Sequence, residues 1–445
     1  MSGTLVLIAL ALAIGAPLAR LATRESNGGA LLGFGLLFGS GAIGVLMFAL
    51  SLIPGGWSRT AIVTAALVLA ALAWAAAIRL APAPLPPLPP LPPHARLLLA
   101  PALLILAGHA LYATVAPAIE VDFLENWGLK GRIFWSHGAI DWEWLAGEAM
   151  WQNHPDYPIL LPLLFAFVAT VEGSWEDRAI GLLYTAWAAG VLLVAAAELR
   201  RSAPRSGVVV PVAVVSLASL AVTPWIGIAD GLFLALAGGA ALLLRRGTAN
   251  LDAREIAAGS ALLGLAAWTK NEGMTLVVAG AIAVIATAGW RPRLLAGLLP
   301  GIVLAGAWGV PRALLGLESD LAAGDPLGRV LEGIRSPGPL LAALGTWTTG
   351  RPLLWGGLLL GALVGARELL RRERLLLVLC GTQLAFYLLA YLATPHEIDW
   401  QVRWSWERLV SHVRFPLAFA VVVVLTAILV RGGGPEREPA PERES

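Results

Sequence analysis

Residues 31–53 read LLGFGLLFGSGAIGVLMFALSLI, an unbroken run without a charged side chain. As an α-helix rising 1.5 Å per residue the run spans ~35 Å, enough for the ~30 Å hydrocarbon core of a bilayer. A surface helix of a soluble protein would carry a polar stripe, and this one has none, so lipid is the solvent it suits. The pattern recurs along the 445 residues. Apolar runs between charged or Pro/Gly punctuation lie near 3–19, 31–53, 60–78, 97–116, 179–199, 207–224, 231–244, 256–269, 274–290, 294–310, 352–366, 375–393 and 415–430, which predicts thirteen spans. The first lacks a basic leading region and a clear cleavage site, and reads as a span rather than a signal peptide. Composition agrees, with 58% hydrophobic and 13% charged residues, where a soluble domain carries roughly half and a quarter. The fold class is therefore an all-α polytopic membrane protein, and soluble enzymes, DNA binders and secreted scaffolds are excluded. A formal net charge of +2 gives no ground for a nucleic-acid partner, and the lone Cys380 excludes an internal disulfide or a cysteine metal cage.

Basic residues stay on the cytoplasmic side of a membrane, so their distribution orients the chain. Nineteen of the 31 Lys and Arg fall in the 73 positions of 20–30, 79–96, 200–206, 245–255, 291–293, 367–374 and 431–445. The alternate loops, 54–59, 117–178, 225–230, 270–273, 311–351 and 394–414, hold twelve in 140 positions, together with 19 of the 29 acids. The second set is expected outside. Residues 159–171 are apolar enough to cross, but counting them would flip every loop on one side. Their prolines, Pro155, Pro158 and Pro162, and their length favour an interfacial or re-entrant helix. The alternative is that 159–171 crosses and one N-terminal span does not. Residues 81–93 (APAPLPPLPPLPP) form a polyproline spacer within a cytoplasmic linker, 81–96. It divides a three-span unit, 1–80, from a core, 97–430, and the tail 431–445 is expected to be disordered and cytoplasmic.

Polar side chains gather in loop 117–178, which opens Glu120-Val-Asp122-Phe-Leu-Glu125-Asn126-Trp127-Gly-Leu-Lys130-Gly-Arg132 and contains His154-Pro155-Asp156-Tyr157-Pro158. Six of the 18 tryptophans lie in this loop and three more in 394–414. Aromatic faces suit the C–H surfaces of sugars, with carboxylates, Lys130 and His154 beside them. An interfacial aromatic belt over solvated carboxylates accounts for the same residues without a site. Arg178, Lys270, Arg408 and Arg414 stand at outer boundaries, at the depth of a lipid phosphate, where snorkelling is the plainer role. Lys270-Asn271-Glu272 is a polar turn between apolar helices, with a local Lys270–Glu272 ion pair as its plain explanation; for Asp230 that explanation is a helix N-cap. His137, His154, His396 and His412 are the outer histidines, and a divalent metal held by two of them with a carboxylate is conceivable. Their spacing matches no compact ligand motif, so no metal ligands are assigned.

Asp122–Phe134 followed by His154-Pro-Asp-Tyr-Pro resembles the first outer loop of the glycosyltransferase-C superfamily, in particular the bacterial branch related to protein O-mannosyltransferases and lipid A aminoarabinose transferases. Ala229-Asp230, Thr269-Lys270-Asn271-Glu272-Gly273, and Thr394-Pro395-His396-Glu397 with Ser405-Trp406-Glu407-Arg408 resemble the same branch and follow in its order, from about residue 97 to 430. The resemblance implies an inverting transferase in a bacterial cytoplasmic membrane. It would move a sugar from a polyprenyl-phosphate donor to a glycan, lipid or protein acceptor at the outer face. Asp122 stands where the family has its essential first-loop acid. Many relatives have adjacent Asp-Glu there, whereas Asp122 lies between Val121 and Phe123, and Glu120 remains its rival.

Elementary chemistry fits that assignment. An acceptor hydroxyl is a poor nucleophile, and a carboxylate within hydrogen-bond reach takes its proton as it attacks the anomeric carbon. The departing lipid phosphate gathers negative charge, which held cations stabilise. The expected substrate-binding set is Lys130, His154, Asp156, Tyr157, Arg178, Asp230, Lys270, Glu272, Arg408 and Arg414. Two other classes of function compete: a transporter or flippase of lipid-linked glycans, and a non-catalytic subunit of an envelope complex. A transporter needs ionisable groups or broken helices near the midplane, whereas these polar groups cluster at the outer ends of the spans.

Overall fold

A computed structural model of the protein describes residues 2–88, 90–147, 154–203, 208–317, 319, 324–348 and 352–432. From residue 433 onward the expected disordered tail lies outside the described residues. The chain opens with α1 (Ser2–Thr23), α2 (Gly28–Ser51) and α3 (Arg59–Leu80), then α4 (Pro93–Leu97) and α5 (Ala100–Val115). The long loop that follows holds a π-helical turn (Phe123–Trp127), α6 (Gly128–His137), α7 (Trp142–Ala146) and α8 (Leu160–Glu172). Next come α9 (Gly181–Ser202), α10 (Val209–Ala221), α11 (Asp230–Ala249), α12 (Ala253–Ala267), α13 (Glu272–Ala288), α14 (Pro292–Ala296) and α15 (Leu299–Leu314). The last part is α16 (Pro326–Arg335), α17 (Gly338–Thr348), α18 (Pro352–Arg372), α19 (Arg374–Ala393) and α20 (Ile398–Gly432). No strand occurs among the described residues.

Ten helical segments among them are long and apolar enough to cross a membrane. The other three expected spans fall on the shorter helices α10, α12 and α13, of 13, 15 and 17 residues. Small residues let the helices approach: a Cβ on Gly39 would fall inside the backbone of Ala11, and one on Gly15 inside that of Gly35, so α1 and α2 touch backbone to backbone. These N-terminal helices share one continuous apolar core with α8, α9, α11 and α12. After α3, the proline segment is pinned to the α1–α2 turn, where Leu85 N donates to Arg24 O (2.8 Å) and Ser26 Oγ to Leu85 O (2.8 Å).

Two polar clusters mark the ends of the bundle. At one, Arg246 near the end of α11 meets Glu198 (2.6 Å), Glu255 (2.9 Å), Glu25 (3.3 Å) and the carbonyl of Thr23 (3.2 Å). Arg201 pairs with the same Glu25, and Arg245 binds Glu373 (2.6 Å). The other end is built around Asp230. The described residues of the connections 20–30, 79–96, 245–255 and 367–374 gather at the Arg246 end, and those of 117–178, 225–230, 270–273 and 394–397 at the Asp230 end.

That frame places α8. At its start Leu160 N donates to Trp268 O (2.8 Å) beyond the end of α12, and at its finish Glu172 accepts from Gly3 N (2.6 Å) and Ser2 Oγ (2.8 Å) at the start of α1. Helices α1 and α12 have their opposite ends at Arg246, so both ends of α8 lie at the Asp230 end and the helix does not run the length of the bundle. It is not a surface helix either, because residues 159–169 are buried throughout. The segment 394–414 corrects the sequence reading: only 394–397 is a loop, since α20 is one 35-residue helix beginning at Ile398. Likewise, the expected loop 311–351 contains α16 and α17.

Candidate functional site

Asp230 is the first residue of α11, but its carboxylate does not cap that helix. It is 1% exposed and turns to three partners from other elements. Lys270 Nζ, in the turn after α12, lies 3.1 Å from Oδ1, and His412 Nε2 on α20 lies 2.9 Å from the same oxygen. Arg408, one helical turn before His412, places Nε 3.1 Å and Nη2 3.0 Å from Oδ2. A buried carboxylate persists only with such partners. Tyr387 OH, on α19, stands 3.0 Å from His412 Nδ1. With the hydroxyl donating to Nδ1, the network assigns the neutral tautomer whose Nε2–H donates to Asp230.

Arg408 also reaches outward. The same Nη2 lies 2.6 Å from Asp122 Oδ2, so one guanidinium bridges the buried Asp230 and the half-exposed Asp122. Asp122 is aimed there by its segment: Phe123, the next residue, is buried against Phe165 and packs under Gly227 in the turn before α11. A Cβ on Gly227 would meet that ring, and its φ of +95° suits glycine alone. Glu120 contributes its carbonyl to Phe123 N (2.9 Å), and its carboxylate makes no ion pair among the described residues.

Lys270 completes the cluster with a second ion pair, to Glu272 (3.1 Å), so the local pair expected from sequence and the long-range one coexist. The turn carrying them is tight because Gly273 lies against the backbone of Ala267, where no side chain fits. Beneath it Gln383 Nε2, on α19, donates to Glu272 O (3.2 Å) and Thr275 Oγ1 (2.9 Å).

The 154–157 turn is tied to the same place. Asp156 is buried and accepts from Asn271 Nδ2 (2.6 Å), with Arg312 Nη2 at 3.8 Å, while Trp308 Nε1 donates to its carbonyl (3.3 Å). Burial pushes the Asp156 carboxyl up, against the opposing pull of Arg312. Lys130 is fully enclosed: Nζ donates to the carbonyls of His154 (2.7 Å) and Tyr157 (3.3 Å) and lies 5.9 Å from each of the stacked Trp127 and Tyr157 rings. Its pKa is pushed down to about 7 by burial, with Asp156 opposing. His154 stacks on Tyr157 at 4.6 Å and Tyr157 on Trp127 at 5.3 Å.

The expected set therefore divides. Asp122, Asp230, Lys270, Glu272 and Arg408 converge. Lys130, His154, Asp156 and Tyr157 form the adjoining packed wall, with Lys130 holding backbone rather than facing open space. Arg178 is exposed in the short turn before α9, beside Thr4 and away from the cluster. Arg414 lies two turns beyond Arg408 on α20, paired with Glu407 (3.3 Å), and lines a cleft of about 420 Å³ with Ile105, Tyr112, Trp225 and Ser411. Helix α5, which forms one lip of this cleft, exposes Leu103, Leu104 and Leu111 outward, as a lipid-facing helix does. Sequence reasoning missed Tyr387, Gln383 and Arg312, and weighed His412 only as a metal ligand. No three of His, Cys, Asp and Glu form a metal-binding group among the described residues. No protein-family model, curated protein or solved structure matches this chain.

Proposed function

We propose that the protein is a thirteen-span membrane glycosyltransferase of the glycosyltransferase-C type. It transfers a sugar from a polyprenyl-phosphate donor to an acceptor hydroxyl at the outer face of a cytoplasmic membrane. The observation that carries this reading is the convergence of Asp122, Arg408, Asp230 and Lys270 at one end of the bundle, beside a lipid-facing cleft. A membrane enzyme acting on a lipid phosphate needs three things there: a partly exposed carboxylate, cations fixed by a buried counter-charge, and an apolar approach from the bilayer. Asp122 takes the acceptor proton as the oxygen attacks the anomeric carbon. The bond from that carbon to the phosphate oxygen breaks, its electron pair leaves with the polyprenyl phosphate, and Arg408 and Lys270 receive the charge. Asp230, His412 and Tyr387 hold those cations in place. Of the competing readings, transport of a lipid-linked glycan draws support from Gln383, a fully buried polar residue midway along α19. The paired ionisable groups stand at the two ends of the bundle, around Asp230 and around Arg246, rather than beside Gln383.

Membranes containing the protein, supplied with a panel of polyprenyl-phosphate sugars, should release polyprenyl phosphate. Asp122→Asn should cut release by the ~10² to 10⁴ of a lost general base, while Glu120→Gln does far less. Full release by Asp122→Asn with loss in Glu120→Gln moves the base two residues. Full release by both removes the first-loop mechanism.

A further inference from the structure

Asp122 and Asp230 share Arg408 on unequal terms. Asp230 is fully enclosed and bound by Lys270, Arg408 and His412, so its charge stays compensated without help. The Asp122 side chain is 36% exposed and, among the described residues, pairs only with Arg408, which makes it the carboxylate that can exchange. In a transfer that inverts the anomeric carbon, base and leaving phosphate stand on opposite faces of the sugar ring. The two catalytic groups of inverting sugar hydrolysis stand roughly 6.5 to 9.5 Å apart for the same reason. A carboxylate 2.6 Å from Arg408 cannot act on the far face while Arg408 holds the phosphate.

Resting on the proposed function above, the geometry points to Asp122 occupying, in this state, the seat on Arg408 that the phosphate of a lipid phosphomonoester or phosphodiester takes. Phosphate entry ejects the carboxylate, and donor binding and release of the base become one event. The exchange replaces one oxyanion by another on the same N–H. Asp230, Lys270 and His412 keep Arg408 in place while its outer partner changes. Before donor arrives the base is tied down, which protects the site from idle proton transfer.

The probe is farnesyl phosphate, titrated into the full-length protein in detergent micelles, with farnesol and inorganic phosphate as separate arms. Wild type should bind farnesyl phosphate in preference to both, and Arg408→Ala should lose that preference. Because the competing carboxylate is gone, Asp122→Asn and Asp122→Ala should bind it about ten-fold more tightly, the scale of one charge-assisted contact. Glu120→Gln should match wild type. Unchanged or weaker binding in folded, monodisperse Asp122 variants overturns the exchange and leaves the functional reading intact. A wild type that prefers farnesyl phosphate no more than farnesol overturns both, and one satisfied by inorganic phosphate alone assigns the seat to a free anion. Should the variants misfold, carboxyl footprinting of wild type decides: Asp122 modification should rise with farnesyl phosphate, and a fall or no change rejects the exchange.

Discussion

Lys130 shows how one side chain can be a structural device with a chemical signature. Its ammonium has exchanged water for two carbonyls and two aromatic faces, and burial lowers its pKa from 10.5 to about 7. The unfolded chain keeps this lysine protonated up to about pH 10.5, and the folded protein only to about 7. Between those values unfolding takes up a proton, so the Lys130 contribution makes stability rise with pH. The neutral amine still has two N–H donors for the two carbonyls, and the turn survives the loss of charge. Melting temperature in detergent, measured from pH 7 to 10, should therefore climb in wild type relative to Lys130→Met. Parallel profiles would show that the amine stays charged in the folded protein. Sequence reading put Lys130 in the right neighbourhood, but not against the two carbonyls that its amine holds. Its neighbours are set by a backbone turn 24 residues away, which no local pattern reveals.

At the scale of elements, α20 was misread although its pattern was visible. Val402, Trp406, Leu409, Val410 and Val413 are buried, at spacings of four, three, one and three, which is the apolar stripe of a helix. The density of Trp, Arg and Glu between them suggested a loop. Reading that stripe would have put Arg408 and His412, four apart, on one face and made His412 a partner of Asp230 rather than a metal candidate. Tyr391 to Ser405 (2.9 Å) and Tyr387 to His412 (3.0 Å) fasten this half of α20 to α19. Proline at position 402 would remove a helical N–H and clash with the preceding turn, at a cost of ~3 kcal/mol or more. Val402→Pro should undock the segment, so a cysteine placed at Trp406 should react with a membrane-impermeant maleimide only in that background. Equal protection in both backgrounds would mean that the contacts to α19, not helix continuity, hold Arg408 in place. Cys380 is buried and does not compete for the reagent.

Over the whole molecule, alternation of apolar runs made the fold class legible, because each crossing must satisfy its own backbone hydrogen bonds and keep its charges near its ends. What stayed hidden were the pairings between ends. Glu25, Glu198 and Glu255 meet one arginine, Glu25 from 221 residues away, and the basic residues read only as a topology signal turn out to be partly neutralised. That neutralisation does not undo the orientation, since acidic residues weigh little in retaining loops on the cytoplasmic side. The Arg246 end still carries the excess of Lys and Arg, and the Asp230 end the aromatic and acidic loop, so the two ends should face opposite compartments. Ser136 on α6 and Asn250 after α11 are both exposed and lie at opposite ends. In intact cells an impermeant maleimide should label Ser136→Cys, and Asn250→Cys should react only after the membrane is opened. The reverse pattern would put Asp122 and Arg408 in the cytoplasm and remove the outer-face transfer with them, while leaving the helix packing untouched.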